Sequence, residues 1–325
     1  KQKTAYEIGV RLVGSEMCIR DRLNIDNSIV SIGVFDGVHL GHQSLFGKLR
    51  QAAFDQSKSS IIITFKNHPM SVLNQKFQPK FLMPLSERLK NLSSTKVDAV
   101  IPITFDNDLA KLSAKEFLSI LKEKINLSQI VCGPDFALGR NREGTIEKLN
   151  ILGSEIGFTV EIVPVFSLSE EEIPVRSSQA RKELSIGNIS SLNKVLGRKF
   201  KLSGTVHTGN QMGTELGFPT ANISIDSDLA IPPDGIYATW VSINEISTKK
   251  IWMGATSIGN RPTFKEFNDL VIETYLLDFD EEIYNRKINI EFFQKIRDQK
   301  QFDSKNSLIK QMQIDIDTIR NILAV

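Results

Sequence analysis

Apolar positions in the first part of the chain follow two alternating periods. Runs of β-branched residues with a period of two predict buried strands, and apolar residues spaced by three and four predict amphipathic helices. Strands that alternate with helices build a parallel, doubly wound α/β sheet. Ser113 and Glu116 have the spacing of a capping box at a helix start. The predicted strands run through Val30–Val34, Ser60–Phe65, Ala99–Ile103, Gln129–Cys132 and Val160–Val165, and the predicted helices through Leu45–Ala53, Leu85–Leu92 and Ser113–Leu121.

The pattern changes near Gly187, and the change predicts a second domain. A short helix lies between Gly187 and Gly197, and from Phe200 onward short β runs are separated by Gly, Pro and Asn turns, with no long helix before Ser304. This pattern is typical of a β-barrel, here followed by a C-terminal helix. The predicted domains are an α/β domain over residues 23–186 and a barrel domain over residues 187–325.

Residues 1–22 fit neither pattern. They carry arginine and apolar residues without a clean period, and they form no signal peptide with an apolar core. Their end, V-G-S-E-M-C-I-R-D-R, looks like translated sequencing-adapter sequence. We expect this segment to be an artefact or a non-native leader that both folding and activity can do without.

Composition narrows the class of protein. With 325 residues, 41% of them hydrophobic, the chain is long enough for two cores, and no apolar run approaches the roughly 20 residues that span a bilayer. A net charge of +2, with acids and bases interspersed, gives no basic footprint, so we expect neither a nucleic-acid nor a membrane partner. Cys18 and Cys132 are too few for a disulfide framework or a metal quartet, which favours a cytoplasmic location.

The stretch Ser31–Gln43, S-I-G-V-F-D-G-V-H-L-G-H-Q, joins the first strand to the first helix and carries candidate chemistry. Its glycines let the backbone turn sharply and approach a ligand, and the first amides of the helix present N–H groups to an anion. His39 and His42 can donate hydrogen bonds to phosphate oxygens as charge develops there. A single histidine at a helix start is more often a cap or a surface residue, but two that flank a glycine after a strand favour phosphate chemistry. The glycines of the stretch are Gly33, Gly37 and Gly41.

Two later loops also follow predicted strands. His68 comes after the second strand, where Pro69 restricts it to extended conformations, so it is either a functional residue or a plain loop residue. A glycine-rich, basic loop with Asp135 and Phe136 follows the fourth strand. Asp135 is either a ligand contact or the cap of a turn.

The segment V-R-S-S-Q-A-R follows the fifth strand and opens a predicted helix. The hydroxyls of Ser177 and Ser178 lie at the helix start, and Arg181 extends from its first turn. This layout suits the oxygens of a triphosphate.

The barrel domain carries its own candidate site between Gly204 and Ile223. The density of glycine there permits a loop that wraps phosphates with backbone amides. Thr220 and Asn222 in P-T-A-N offer two neutral oxygen ligands on one side of an extended segment, which suits a Mg²⁺ shared with nucleotide phosphates. The alternative is that these residues simply end a turn. The glycines concerned are Gly204, Gly209 and Gly213.

These strings together resemble a known family. H-x-G-H after a strand is similar to the signature of the nucleotidyltransferase superfamily, and it is neither a Walker loop nor a G-x-G-x-x-G motif. The longer string G-V-F-D-G-V-H-L-G-H-Q resembles the adenylyltransferase half of prokaryotic bifunctional riboflavin kinase/FAD synthetase. The strings G-F-P-T-A-N, S-I-G-N-R-P-T-F, V-I-E-T-Y-L-L-D-F and F-F-Q-K-I-R-D-Q-K-Q-F resemble its riboflavin kinase half. The resemblance covers about Ser28–Leu323.

The resemblance implies an enzyme of flavin-cofactor biosynthesis with ATP as co-substrate and Mg²⁺ as cofactor. A Greek-key barrel would phosphorylate riboflavin to FMN, and a Rossmann-like nucleotidyltransferase domain would adenylylate FMN to FAD, the whole acting as a monomer or a weak homo-oligomer. The implied catalytic residues are Glu273 as base and His39, His42 and Arg181 at the transferred phosphate. The implied ATP or phosphate contacts are Gly33, Phe35, Asp36, Gly37, Gly41, Ser177, Ser178, Gly204, Gly209, Gly213 and Thr220. The implied flavin contacts are His68, Pro69, Asp135, Phe136 and Arg297, and the implied metal ligands are Thr220 and Asn222.

Two positions depart from the family pattern. Arg176 replaces the first Ser of S-S-T-x-I-R, with Ser178 at the Thr, and Thr214 stands where family members usually carry Arg or Lys. One alternative is therefore a riboflavin kinase with a degenerate adenylyltransferase domain. A second is a non-catalytic flavin-binding regulator, which has little need of the retained histidines and Glu273.

Overall fold

The computed structural model describes residues 27–74, 76–168, 174–209, 213, 216–244, 250–260 and 270–324, and the structural statements below concern these residues. The expected leader, residues 1–22, and Thr214 lie outside them. The chain divides into two compact units, Lys1–Ser177 and Ser178–Val325. The domain boundary predicted at 186/187 stays a prediction.

The first unit is built on a five-stranded parallel sheet, which confirms the α/β prediction. Its strands are β1 Ser28–Gly33, β2 Ser59–Phe65, β3 Ala99–Ile103, β4 Leu127–Cys132 and β5 Thr159–Ile162. The strand order is β3-β2-β1-β4-β5, so the winding direction reverses between β1 and β4. In such a sheet, ligands bind outside the carboxyl ends of the strands at this reversal.

Helices cover both faces of the sheet. They are α1 Leu40–Asp55, α2 Pro69–Leu73, α3 Leu85–Ser93, α4 Asn107–Lys111, α5 Ala114–Ile125 and α6 Ile146–Ile156. Alternate residues of β1 point to opposite faces of the sheet. Val30 packs in one core with Leu118 of α5. Ile29 packs in the other core with Phe46 and Leu49 of α1. A strand buried on both sides is what a β-branched, fully apolar run predicts.

Some element boundaries were readable from local signals. The capping box is confirmed: Ser113 Oγ accepts from the Glu116 amide at 3.2 Å, and the Glu116 carboxylate accepts from the Ser113 amide at 2.8 Å. The strand Ala99–Ile103 and a helix beginning at Leu85 are also confirmed.

One expected boundary was wrong. The fifth strand ends at Ile162 and does not reach Val165, because its neighbour β4 ends at Cys132, the residue opposite Ile162. Helix α6 and the short helices α2 and α4 had no predicted counterpart. In α6 a glycine interrupts the apolar pattern for a packing reason, since a Cβ on Gly153 would lie 2.5 Å from the Phe158 carbonyl oxygen.

The second unit contains a closed barrel of six antiparallel strands, which confirms the barrel prediction. Its strands are β6 Phe200–His207, β7 Thr220–Ile225, β8 Gly235–Ile243, β9 Ile251–Asn260, β10 Leu270–Leu276 and β11 Lys287–Arg297. The strand order around the barrel is β10-β7-β6-β11-β8-β9. The remaining helices are α7 Ser177–Ser185, α8 Ile189–Leu196 and α9 Lys305–Leu323.

A row of buried threonines fixes which side chains of the barrel point inward. Thr239 donates to the Gly254 carbonyl at 3.0 Å, and its hydroxyl lies 2.8 Å from that of Thr256, which lies 3.0 Å from that of Thr274. All three threonines are fully buried. Because side chains alternate along a strand, an inward Thr274 places its neighbour Glu273 on the outer face of the barrel.

Candidate active sites

A cavity of about 270 Å³ lies beside β1, β4 and the start of α1 in the first unit. It therefore occupies the reversal point of the sheet, where the topology predicts a ligand. Residues that sequence analysis did not select also line it, notably Ser31, Arg176 and the segment 163–166 that follows β5. The predicted site residues in its lining are Phe35, His39, Gly41, His42, Asp135, Phe136 and Ser177.

His39 links the phosphate turn to the start of α7. It is the N-cap of α1, and its Nδ1 accepts from the His42 amide at 3.2 Å. Since Nδ1 is the acceptor, Nε2 is the ring nitrogen that donates, and it lies 3.2 Å from Ser177 Oγ. The Ser177 hydroxyl donates in turn to the Asp36 carbonyl at 3.1 Å. The predicted histidine and serine are thus joined across 138 positions of sequence.

The two histidines form a stack. Their ring centroids lie 3.6 Å apart with planes 19° from parallel, and the edge of Phe35 packs against His42 at 5.2 Å. The turn that holds them is strained, because Phe35 and Val38 adopt φ of 51° and 38°, a region that side chains with a Cβ rarely occupy. Such strain is characteristic of functional loops.

The start of α1 meets the pocket beside Ser177. Gly41 makes this possible, because a Cβ there would lie 2.6 Å from the Val175 carbonyl oxygen and 3.2 Å from the His39 ring. Helix starts present unpaired N–H groups and the positive end of the helix dipole. The pocket is therefore suited to an anion such as a phosphate chain.

Several predicted residues lie outside the pocket lining, and their phosphate roles stay predictions. Asp36 is buried, and both oxygens of its carboxylate accept from the Leu82 amide, at 3.0 and 3.1 Å. Gly33 packs under the Phe35 ring, and Gly37 has a φ of 81° that a glycine adopts without strain.

The predicted flavin residues after β2 have a local structural role. His68 is the N-cap of α2, and its Nδ1 accepts from the Met70 amide at 3.1 Å, while Pro69 occupies the first turn. This is the loop role that the sequence left open as an alternative, and the flavin contact stays a prediction.

Arg88 in α3 is an unexpected charge in the core of this unit, only 1% exposed. Its Nη2 donates to the carbonyls of Phe65 and Lys66 at 2.7 and 3.2 Å, and its guanidinium lies 5.1 Å from the centroid of Phe81. Burial lowers its pKa from the ordinary value, and the charge of Asp36 opposes that shift. Arg88 thus fixes the loop after β2. An arginine in L-S-E-R-L-K looks like a surface position, so nothing local could have revealed it.

Asp135 and Arg176 form an ion pair at the pocket wall. Arg142 Nη2 also donates to the Asp135 carbonyl at 3.1 Å, which anchors the loop after β4. In the sequence, Arg176 is apparent only as a departure from the family pattern. In α7, Ser178 and Arg181 follow Ser177 as predicted, and their ATP contacts stay predictions.

In the barrel, strand register brings the predicted kinase residues together. Glu273 of β10 lies directly opposite Asn222 of β7, and Tyr275 lies opposite Thr220. Directly opposite residues have Cβ atoms about 4.5–5.5 Å apart and share a face of the sheet. One polar patch on the outer face therefore contains Glu273 together with Thr220 and Asn222. In the sequence, Glu273 lies about fifty positions after the other two.

Two of the predicted glycines lie against this patch. A Cβ on Gly209 would lie 2.1 Å from Asn222 Nδ2, and one on Gly213 would lie 3.0 Å from Thr220 Oγ1. Gly209 and Gly213 therefore lie directly against the proposed metal ligands. His207 of β6 lies opposite Asn222 on its other side and was missed, although it stands within the matching string G-T-V-H-T-G.

Two further predicted residues of the barrel have packing roles. Gly204 lies inside β6, where a Cβ would come within 2.5 Å of both Ile223 and Ser224. Arg297 at the end of β11 forms a bidentate ion pair with Asp315 of α9. Phosphate contact at Gly204 and flavin contact at Arg297 stay predictions.

The fold and the two sites define a two-domain, nucleotide-dependent transferase. Family models match the chain in two places, FAD synthetase over residues 22–179 and riboflavin kinase over residues 196–323. Two curated relatives are described as bifunctional riboflavin kinase/FMN adenylyltransferase. The relative from Buchnera aphidicola subsp. Schizaphis graminum is 36% identical and covers 90% of this chain and 93% of its own. The relative from Bacillus subtilis is 32% identical, with coverage of 89% and 90%.

One solved structure is also similar. A crystal structure titled macrolide-efflux protein, from Streptococcus pneumoniae, matches with a TM-score of 0.82 at 29% identity, covering 91% of this chain and 94% of that one. In the part of this chain that the structure describes, no helix has the length and apolar character needed to cross a membrane. The chain belongs to the family of bifunctional riboflavin kinase/FMN adenylyltransferases, for which riboflavin, FMN and ATP are substrates.

Proposed function

We propose that the first unit adenylylates FMN in its pocket and that the barrel phosphorylates riboflavin at Glu273. The observation that carries the assignment is the convergence of His39, His42 and Ser177 on one cavity at the reversal point of the sheet. The matches to FAD synthetase over residues 22–179 and to riboflavin kinase over residues 196–323 support the same division of labour.

In the first reaction, a phosphate oxygen of FMN attacks the α-phosphorus of ATP. A new P–O bond forms, the bond to the β-phosphate oxygen breaks, and pyrophosphate leaves. The FMN phosphate is already ionised at neutral pH, so the site has little need of a general base. The chain contributes donors for the developing charge: the amides at the start of α1 and His42. His39 orients Ser177 through Nε2.

In the second reaction, Glu273 accepts the proton of the primary alcohol of riboflavin as its oxygen attacks the γ-phosphorus of ATP and ADP leaves. Thr220 and Asn222 present hard, neutral oxygen donors on one face, which fits a Mg²⁺ whose other ligands are nucleotide phosphates and water. When bound, the ion neutralises phosphate charge.

Product chromatography with two starting substrates tests this division. Given riboflavin and Mg-ATP, the wild type should form FMN and then FAD. His42→Ala should accumulate FMN and lose FAD formation by roughly 10²- to 10³-fold, the cost of one transition-state donor. Glu273→Gln should form no FMN from riboflavin but should still convert supplied FMN to FAD, so each variant is the folding control for the other.

Each result has a contrary outcome. FAD formation at the wild-type rate in His42→Ala would contradict the assignment of the pocket, and FMN formation at the wild-type rate in Glu273→Gln would contradict that of the base. A wild-type protein that stops at FMN would identify the alternative, a riboflavin kinase with a degenerate first unit.

The cellular setting is a further part of the proposal. We expect a cytoplasmic enzyme, monomeric or weakly self-associating, with small-molecule substrates and no nucleic-acid or membrane partner. Near-neutral net charge and the scarcity of cysteine support this expectation. Sedimentation at working concentrations measures the oligomeric state.

A further inference from the structure

Arg176 contributes to the pocket wall directly before Ser177, whose hydroxyl contacts His39. Among the described residues that line the cavity, Arg176 is the only lysine or arginine and Asp135 is the only aspartate or glutamate. Their side chains are paired with each other, and both remain open to solvent, with 47% of Arg176 and 67% of Asp135 exposed. The guanidinium is therefore held at the pocket by a contact that is easily exchanged.

We propose that Arg176 binds a phosphate group of a substrate, exchanging the Asp135 carboxylate for it when the pocket fills. The inference rests on the proposed assignment of this pocket to FMN adenylylation. An exposed ion pair contributes little, because water and salt screen both charges. A substrate phosphate carries more charge than a carboxylate and offers oxygens that the planar guanidinium engages in bidentate fashion.

Asp135 has a defined part in this exchange. Arg142 donates to its backbone carbonyl at 3.1 Å, so the loop that presents the carboxylate is itself anchored. By holding the long Arg176 side chain beside the cavity, Asp135 reduces the rotamer freedom that would otherwise be lost when the phosphate binds. The pair thus keeps a cation ready at a site whose substrates are polyanions.

A different role for the same pair has a different signature. If Arg176 served only to neutralise Asp135 against anionic substrates, removing the carboxylate would make the arginine unnecessary. If Arg176 binds phosphate, removing the carboxylate takes away a competitor and the arginine is still needed. The double variant separates these two roles.

The test uses full-length wild type, Arg176→Gln, Arg176→Lys, Asp135→Asn and the double variant Arg176→Gln/Asp135→Asn. FAD formation is measured with ATP varied at saturating FMN and with FMN varied at saturating ATP, which distinguishes the polyphosphate of ATP from the phosphate of FMN. Arg176→Gln should raise one of these KM values by about tenfold or more, as expected for a lost charged hydrogen bond, with a smaller change in kcat. Arg176→Lys should recover part of the loss.

The other arms decide the outcome. Because Asp135 is itself an expected flavin contact, Asp135→Asn is the reference for the double variant, whose affected KM should exceed that of Asp135→Asn by the same factor that separates Arg176→Gln from the wild type. Unchanged KM values for both substrates in Arg176→Gln, or a double variant with the KM of Asp135→Asn, would overturn the inference while wild-type FAD formation still supports the assignment of the pocket. A wild type that forms no FAD would overturn that assignment and this inference together.

Discussion

Helix α9 makes two arginine–aspartate pairs of the same chemistry and different burial, so the same substitution should have different costs at each. Arg297 of β11 donates to Asp315 of α9 at 3.0, 3.1 and 2.7 Å, with the two side chains 13% and 7% exposed. Arg320 of α9 donates to Asp278 at 2.7 and 2.6 Å, with the two side chains 45% and 71% exposed.

The expected changes in unfolding free energy depend on whether the arginine that loses its aspartate is buried or solvated. Asp315→Ala leaves the buried guanidinium of Arg297 without its counter-charge, which costs about 3–5 kcal/mol of unfolding free energy. For a unit of this size that corresponds to a fall of roughly 6–20 °C in the melting temperature of the barrel. Asp278→Ala, the matched control in the same helix, leaves a solvated arginine and should keep the melting temperature close to that of the wild type.

Fluorescence can follow the barrel alone, because the chain has two tryptophans, Trp240 in β8 and Trp252 in β9. Thermal or urea unfolding read at tryptophan emission should show a large loss of stability for Asp315→Ala and almost none for Asp278→Ala. Equal melting temperatures for the two variants would refute the reasoning. The experiment also bears on Arg297, because a guanidinium engaged by Asp315 has little left to offer a flavin.

Three further substitutions test glycine packing, and a fourth tests a buried thiol. Gly41→Ala places a Cβ 2.6 Å from a backbone carbonyl and should abolish FAD formation, while Gly47→Ala, in open space within α1, should raise the unfolding free energy by about 0.5–1 kcal/mol. Gly209→Ala would collide with Asn222 and should stop riboflavin phosphorylation, measured as FMN formed, but leave conversion of added FMN to FAD intact. Burial raises the pKa of Cys132 from 9.0 to about 11, so its contribution to stability is present below pH 9 and is lost as pH rises toward 11. Urea unfolding at pH 7 and pH 10 should show a smaller loss for Cys132→Val than for the wild type, and equal losses would count against this.

Local sequence signals were sufficient for much of the fold. Strand and helix periods, together with the capping box of Ser113, depend on residues within one or two turns of each other, and those elements are where the patterns predicted them. The end of β5 was wrong because the apolar run continues past Ile162, where sheet pairing stops, into Val163 and Pro164 of the pocket wall. An apolar run alone does not distinguish a strand from the loop that follows it.

Pairing between distant residues could not be predicted in the same way. Arg176 and Asp135 are 41 positions apart and Arg297 and Asp315 are 18 apart, and no local pattern marks either pair. Arg297 shows the consequence most clearly. A motif match suggested a flavin contact, which stays a prediction, and the folded chain pairs the same guanidinium with Asp315 of α9.

The glycines of the two sites show why a motif identifies a position but not its physical reason. Gly37 and Gly217 have φ of 81° and 84°, so at those positions the backbone conformation itself favours glycine. Gly41 and Gly209 have no positive φ, and what they require is space, because a Cβ would strike a carbonyl beside His39 in one case and the side chain of Asn222 in the other. The sequence shows only a glycine in either case, so it does not distinguish the two reasons. They separate only in the folded structure, where Gly41 and Gly209 lack space because they pack against His39 and Asn222, residues proposed to carry the chemistry.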